Sequence, residues 1–240
     1  FNDMASIDTT KQTKNAQDEK RGYLMNPTGE NNSLQIENLT ISRDKAPLLS
    51  LNETIKGGEV LTIMGPSGSG KSTLLNWLTG MLPKGFNADG NVHLNGANIT
   101  HTASYQRHMG LLYQDALLFP HLSVADNIAF AMPKGDKKAR ATKISFALAE
   151  VGLAGLDHRH PDSLSGGQQA RVALLRVLLS QPKAILLDEP FSKLDSQLRQ
   201  ETRQLVFEQI KQHKLPAVMV THDESDAIAA NGKIIHLSMN

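Results

Sequence analysis

Hydrophobic and polar residues alternate along positions 34–41, which read LQIENLTI. This alternation predicts a strand with one buried face. Residues 60–64 and 92–94 are further strand candidates, and the second of them follows the turn residues Asp89 and Gly90. The short lengths and the turn residues indicate an antiparallel patch of sheet beside a parallel sheet.

Two later segments, residues 184–187 and 217–220, are apolar at every position. Such runs are typical of strands covered on both faces, as in a parallel sheet. Residues 114–182 have a mostly helical pattern, with a polar break at 133–138 and a helix over 139–151 that Gly152 ends. Together the patterns predict an α/β domain with an inserted helical subdomain.

The predicted domain boundaries follow from these changes of pattern. Residues 1–33 are polar and mixed in charge, which predicts a disordered N-terminal tail. Residues 34–240 then form one domain. Its core spans 34–113 and 183–240, and the helical subdomain spans 114–182.

Composition narrows the classes of function. The 25 Lys and Arg residues nearly balance 24 Asp and Glu residues, which argues against a protein that mainly binds nucleic acid. The absence of Cys excludes disulfides and thiol chemistry. No apolar run approaches the roughly 18 residues that cross a bilayer. We expect a soluble chain whose membrane role, if any, depends on a partner.

Residues 65–72 read GPSGSGKS and match the phosphate-binding pattern G-x-x-x-x-G-K-[ST] without a mismatch. They lie between an apolar strand and a helix predicted over 72–79. Glycines let backbone N–H groups point at phosphate oxygens, and the helix adds its positive end. Lys71 would contact the β and γ phosphates, and the Ser72 hydroxyl would bind Mg²⁺. The predicted binding residues are Gly65, Pro66, Ser67, Gly68, Ser69, Gly70, Lys71, Ser72 and Thr73.

Two adjacent carboxylates, Asp188 and Glu189, follow the apolar run at 184–187. Strand ends at the carboxyl edge of an α/β sheet are where ligands bind. Asp188 is predicted to hold Mg²⁺, and Glu189 to polarise the attacking water as a general base. Without a phosphate-binding loop elsewhere in the chain, an Asp-Glu pair after a strand would be an ordinary exposed strand end.

Residues 164–168 read LSGGQ and begin a second helix. Its first N–H groups and the Ser165 hydroxyl make a further candidate anion site. The alternative is a simple N-cap serine followed by flexible glycines.

These three elements, in this order, resemble the ATP-binding cassette (ABC) ATPases from about residue 34 to residue 240. The resemblance implies a RecA-like P-loop NTPase core with an antiparallel β subdomain and an inserted helical subdomain, and ATP and Mg²⁺ as ligands. It implies a head-to-tail dimer, in which a second copy closes its own LSGGQ segment over the γ-phosphate. The residues concerned are Ser165, Gly166, Gly167 and Gln168.

Three further positions match motifs of the family. Gln114 corresponds to the glutamine that contacts Mg²⁺ and water, Asp195 to the loop that crosses the dimer interface, and His222 to the histidine at the γ-phosphate. The predicted catalytic set is therefore Lys71, Gln114, Glu189 and His222, and the predicted metal ligands are Ser72, Gln114 and Asp188.

The chain departs from the family at Arg43, where many members carry an aromatic that stacks on adenine. We expect the planar Arg43 guanidinium to replace it, with Tyr23 as the alternative. The departure predicts modest affinity for ATP and relaxed selectivity between ATP and GTP.

Residues 115–128 and 194–199 resemble bacterial importer ATPases, with thiamine, molybdate and iron importers as the nearest types. The resemblance implies a peripheral protein on the cytoplasmic face of the inner membrane. It also implies a permease partner and, through the permease, an external substrate-binding protein. The alternatives are an exporter or lipoprotein-release ATPase and a non-transport ABC ATPase. Since cassettes do not touch cargo, the substrate is not encoded here.

Overall fold

The computed structural model describes residues 32–237. All of the predicted tail except Asn32 and Ser33 therefore lies outside the described residues, as does Tyr23. The described chain folds into a small antiparallel sheet, a larger parallel sheet and six α-helices within this range. The α/β fold class predicted from the patterns is confirmed.

The antiparallel sheet has four strands in the order β2-β1-β4-β5. These are β1 (Ser33–Arg43), β2 (Ala46–Lys56), β4 (Phe86–Leu94) and β5 (Ala97–Asn98). The alternation in β1 buries Leu34, Ile36 and Ile41 on one face. The predicted strand at 92–94 is the end of a longer strand, because β4 pairs along almost the whole length of β1.

The parallel sheet has five strands in the order β6-β7-β8-β3-β9. These are β3 (Val60–Met64), β6 (Met109–Leu112), β7 (Ala184–Asp188), β8 (Ala217–Thr221) and β9 (Ile234–His236). Every residue of β3 and β8 is buried, as expected of strands covered on both faces. Because all five strands are parallel, the ends of β3, β7 and β8 lie at the same edge.

The α-helices are α1 (Lys71–Leu78), α2 (Val124–Ala131), α3 (Lys137–Glu150), α4 (Gly166–Leu179), α5 (Ser196–Gln212) and α6 (Glu224–Ala230). Helices α2, α3 and α4 share a separate hydrophobic cluster that contains Ile128, Leu148 and Leu175. Helix α3 begins before the predicted 139, because Asp136 caps it by accepting from Ala139 N at 2.8 Å. Among residues 32–237, no helix combines the length and the apolarity needed to span a bilayer.

Candidate functional site

The loop between β3 and α1 is shaped by glycines that adopt a left-handed backbone conformation. Gly68 and Gly70 have φ angles of 85° and 90°. A Cβ atom on Gly70 would also lie 3.1 Å from the side chain of Leu49. Both the backbone angle and the contact require glycine at position 70, where the loop turns into α1. The loop predicted from the sequence thus lies between the end of a buried strand and the start of a helix.

Lys71 is held inside this loop and is only 8% exposed. Its ammonium group donates to the carbonyl oxygens of Gly65 at 2.7 Å and Pro66 at 2.8 Å. The Ser69 hydroxyl is buried and has no hydrogen-bond partner among residues 32–237. A buried unpaired hydroxyl is costly unless a ligand satisfies it. A cation and an unsatisfied donor therefore lie in the same loop, as expected of a phosphate site.

Asp188 ends β7 beside the start of α1. Burial raises the pKa of its carboxyl group, and the neighbouring Glu189 raises it further, against the opposing effects of Lys71 and a hydrogen bond with Ser72. This hydrogen bond joins the hydroxyl and carboxylate oxygens that were predicted to bind Mg²⁺. Hard cations such as Mg²⁺ take oxygen ligands, so the residues fit this ion. Among residues 32–237, no cluster of three or more His, Cys, Asp or Glu side chains forms a metal site by itself. The cation would need oxygens from nucleotide and water.

Glu189 has a φ angle of 45°, which is unusual for a residue other than glycine. Its N–H donates to Val220 O at 3.0 Å, and its carbonyl accepts from the Ser192 hydroxyl at 2.9 Å. Backbone strain of this kind persists only where surrounding contacts hold it, and it is concentrated at functional sites. The strained backbone of Glu189 is consistent with a fixed catalytic carboxylate.

His222 follows β8 and lies opposite Glu189. Its Nδ1 is 2.7 Å from Glu189 Oε2, within hydrogen-bond distance. The histidine side chain is 63% exposed, and the glutamate side chain is 24% exposed. The imidazole therefore reaches the open side of the site while one nitrogen orients the carboxylate.

The phosphate loop, the carboxyl edge of the sheet and the antiparallel sheet enclose one cavity of about 650 Å³. A larger groove of about 750 Å³ lies beside Val60 and Phe207, and none of the predicted site residues lines it. The nucleotide cavity, as we call the first, is lined by Arg43, Leu48, Ser67, Gly68, Gly70, Lys71, Ser72, Thr73, Phe86, Glu189 and His222. Predicted residues from four distant parts of the sequence thus line one cavity.

Two lining residues, Leu48 and Phe86, are not among the residues predicted from the sequence. Phe86 is the aromatic one of the two. It pairs with Arg43 across strands β1 and β4, and the guanidinium carbon lies 5.5 Å from the centre of its ring. This distance is that of a cation–π contact. An aromatic ring therefore lies beside Arg43, on the neighbouring strand β4. Only the register of β1 against β4 brings it there, and that register is not evident from a local motif.

The LSGGQ segment forms a capped helix start outside the nucleotide cavity. The Ser165 hydroxyl accepts from Gln168 N at 3.3 Å, and the Gln168 side chain accepts from Ser165 N at 3.0 Å. Gly167 packs against Leu198 so closely that an added Cβ would lie 2.4 Å from it. The N-cap role considered for Ser165 is confirmed, and its role toward a nucleotide stays a prediction.

Two other predicted residues also lie apart from the nucleotide cavity. Gln114 is exposed and lines a separate cleft of about 140 Å³ with Gly166 and Leu194. Asp195 caps α5 by accepting from Leu198 N at 3.0 Å. The cleft places Gln114 near the LSGGQ segment and away from the phosphate loop.

Comparison with known proteins adds an independent line of evidence. A family model described as "ABC transporter" matches residues 48–192. The chain is similar to the "Uncharacterized ABC transporter ATP-binding protein YnjD" of Escherichia coli K12, at 44% identity over 85% of this chain and 95% of that protein. It is similar to the "Fe(3+) ions import ATP-binding protein FbpC" of the same strain, at 38% identity over 78% of this chain. It also matches the "Spermidine/putrescine import ATP-binding protein PotA" of Bacteroides thetaiotaomicron, at 38% identity over 81% of this chain. The aligned parts cover 53% of FbpC and 42% of PotA, so the chain spans about half the length of these two relatives.

Proposed function

The chain belongs to the ABC transporter family, and from this premise we propose that it binds and hydrolyses ATP to power a bacterial importer. The observation that carries the proposal is the nucleotide cavity, which Lys71, Ser72 and the Glu189–His222 pair line. Asp188 is hydrogen-bonded to Ser72 at its edge. Ser72 and Asp188 suit the binding of Mg²⁺, and Glu189 and His222 suit the activation of the water that attacks the γ-phosphate.

In this proposal, the phosphate loop positions the triphosphate through its N–H groups and Lys71. Glu189 accepts a proton from the attacking water, and His222 orients Glu189 and donates to the γ-phosphate. Magnesium, when bound, would supply positive charge to the phosphate oxygens. Ser72 and Asp188 would hold the ion, and Gln114 would join them once the helical subdomain moves toward the cavity.

A second copy of the chain would complete the site. The nucleotide cavity is open, and the capped LSGGQ helix start of the same chain does not line it. A helix N-terminus attracts anions, so the LSGGQ segment of a second copy suits the γ-phosphate at the open side. Asp195 would lie at the same interface. We propose a head-to-tail dimer with two such composite sites.

The importer assignment rests on the relatives named for import of iron and of spermidine and putrescine. A permease would contact the surface around residues 114–124, where Leu117 is 57% exposed and the adjoining Tyr113 is 39% exposed. Exposed apolar side chains on neighbouring positions are typical of interaction surfaces. The chain would then lie at the cytoplasmic face of the inner membrane, and the permease would receive cargo from an external binding protein. An exporter would use the same nucleotide cavity, and the import relatives favour the first function.

The decisive experiment is affinity purification of the tagged Glu189→Gln variant with ATP from detergent-solubilised membranes of the source cells. We expect a polytopic permease to copurify, and the identity of its binding protein to define the cargo. A Leu117→Asp version of the same variant is the matched control and should lose the permease while still binding ATP. Recovery of an export permease would support the alternative. Recovery of ribosomes or DNA-associated proteins instead of any permease would overturn the transport assignment.

A further inference from the structure

A cluster of ion pairs outside the nucleotide cavity joins α5 to the segment that carries His222. Arg199 donates to Asp223 Oδ2 at 2.7 Å and to Asp226 Oδ2 at 3.3 Å. Arg203 donates to Asp226 Oδ1 at 3.1 Å. Asp226 is only 1% exposed, so two arginines compensate a buried charge. Hydrogen bonds between ionised groups are about twice as strong as neutral ones, and this cluster is therefore a firm connection between the two helices.

Within this cluster, Asp223 uses its two carboxylate oxygens for different tasks. Oδ1 accepts from the N–H of Ser225 at 2.8 Å and thereby caps α6. Oδ2 accepts from Arg199 alone among the hydrogen bonds of the described residues. The N–H of Asp223 donates to the Thr221 hydroxyl at 3.1 Å. His222 is thus held between Thr221, which ends β8, and a residue whose side chain is fixed by Arg199.

The other end of this connection lies at Asp195. Arg199 N donates to Asp195 O at 2.8 Å, so the two residues are one helical turn apart at the start of α5. A continuous series of contacts therefore runs from Asp195 through Arg199 and Asp223 to His222, and from His222 to Glu189. Its first member is exposed outside the nucleotide cavity, and its last member lies inside the cavity.

We propose that Arg199 is a positioning residue that transmits contact at Asp195 to the His222–Glu189 pair. The proposal rests on the proposed function, in which a second copy docks at Asp195. Docking fixes the start of α5, Arg199 then fixes Asp223, and His222 is held in line with the γ-phosphate. Hydrolysis thereby depends on the arrival of the second copy through this arginine, in addition to the LSGGQ segment that the second copy provides.

Arg203 offers a matched control within the same helix. It is exposed to nearly the same extent as Arg199, with side-chain exposures of 18% and 21%. It also joins α5 to Asp226, but its hydrogen bonds go to Asp226 and Ser225 and not to Asp223. Removing either arginine weakens the packing of α5 on α6. Only removal of Arg199 eliminates the hydrogen bond to Asp223 Oδ2, next to His222.

The test compares Arg199→Ala, Arg199→Lys and Arg203→Ala in steady-state ATP hydrolysis. We expect Arg199→Ala to lower kcat on the order of tenfold to hundredfold, since displacing a catalytic group by about 1 Å has effects of this size. KM and the affinity for ATP should change less than about threefold, because neither arginine lines the nucleotide cavity. Arg199→Lys keeps one charged donor and should recover part of kcat. Arg203→Ala should stay within about threefold of the unchanged chain in kcat.

Dimer formation is measured separately by size-exclusion chromatography with ATP, with each substitution in the Glu189→Gln background. The proposal expects dimers to form with Arg199→Ala, because the interface itself is intact. Equal losses of kcat in Arg199→Ala and Arg203→Ala, or loss of the dimer, would overturn it and indicate a purely structural role. If Arg199→Ala fails to fold, Asp223→Asn replaces it, because asparagine keeps the capping oxygen and removes the charge. If the unchanged chain hydrolyses no ATP, the proposed function itself fails, which is a different result.

Discussion

The nucleotide cavity and the LSGGQ helix start differ in how complete each is within one chain. In the nucleotide cavity, Lys71, Glu189 and His222 meet from three elements and already contact one another or the loop backbone. At the LSGGQ segment, Ser165 and Gln168 cap the helix, and within residues 32–237 neither is hydrogen-bonded to a charged residue of the cavity. One region brings the proposed catalytic residues together within one chain, and the other is a capped helix start outside that cavity.

This difference indicates which region controls catalysis. Preorganised groups that meet inside one chain are in place before a second copy binds. A preorganised helix start outside the nucleotide cavity can supply its N–H groups to a nucleotide bound by another copy. We infer that the single chain binds ATP with modest affinity and hydrolyses it poorly.

The substitution Glu189→Gln should have the largest effect. Loss of a general base lowers turnover by about 10²–10⁴-fold, while the phosphate loop and Lys71 still bind ATP. Phosphate release measured with saturating ATP, together with the dissociation constant for ATP, checks both parts. Glu224→Gln, on the exposed start of α6, is the control and should hydrolyse at the normal rate. An unchanged rate in Glu189→Gln would remove the general-base assignment.

The LSGGQ segment is tested by placing a negative charge at Gly166. In the proposed dimer, this position lies near the γ-phosphate of the ATP that the other copy binds. Gly166 tolerates a side chain, because an added Cβ would contact only Leu194, at 3.9 Å. Gly166→Asp should therefore fold and bind ATP, yet lose about 10²-fold in turnover, as when one stabilising donor is removed from a transition state. The measurement is the same phosphate-release assay.

A mixture of two inactive variants then separates the regions directly. Lys71→Ala damages the nucleotide cavity, and Gly166→Asp damages the LSGGQ segment. In a head-to-tail dimer of one copy of each, one composite site carries both defects and the other carries none. Activity should therefore reappear on mixing and increase with protein concentration. A mixture as inactive as its parts would contradict the composite site.

Phe86→Ala should have a smaller effect, confined to nucleotide affinity. Stacking of a base on an aromatic or cationic surface contributes about 1–3 kcal/mol, so the dissociation constant should rise about tenfold while kcat is retained. Arg43→Ala should weaken binding similarly. Every base has a flat face, so we expect ATP and GTP to bind within about tenfold of each other. Phe130→Ala, on the far side of α2 and 70% exposed, is the control. Strong rejection of GTP would contradict the proposal that the base stacks on Phe86 and Arg43.

The contrast between the two regions also shows what could be predicted from the sequence. The phosphate loop, Asp188 and Glu189 were found because local sequence determines a strand, a turn and a helix start. The predicted strands at 34–41, 60–64, 184–187 and 217–220 are confirmed for the same reason. Phe86 and the contact from Arg199 to Asp223 depend on strand register and helix packing. These are tertiary relations that no local pattern contains.

The prediction for Gln114 depends most strongly on tertiary structure. A motif can assign a role to this residue, but it cannot place the helical subdomain relative to the core. Gln114 lines a separate cleft that no residue of the phosphate loop lines, so its role toward Mg²⁺ stays a prediction. The sequence analysis predicts no strand at β2. Buried positions 49 and 51 alternate there with exposed positions 50 and 52 over only a short stretch.

The smallest expected effect is on stability and comes from Asp188. Burial raises the pKa of its carboxyl group above its ordinary value. The folded chain therefore holds this proton more tightly than the unfolded chain, and the ionised carboxylate lowers the free energy of unfolding above the folded-state pKa. Below the ordinary value of 3.8, both states are protonated and this penalty vanishes.

It follows that Asp188→Asn should raise the midpoint of thermal unfolding without nucleotide at pH 8, and that the gain should shrink as the pH falls toward 4. In a domain of this size, each kcal/mol shifts the midpoint by about 2–4 °C, which calorimetry resolves. Addition of Mg²⁺ and ATP should reverse the order, because ligand binding stabilises only the chain that retains the carboxylate for the ion. Asp162→Asn, on an exposed turn, is the control. A gain that is largest at pH 4 would show that Asp188 is stabilised as a carboxylate before any nucleotide binds. The nucleotide cavity would then lack the unfavourable charge that binding of Mg²⁺ and ATP is expected to relieve.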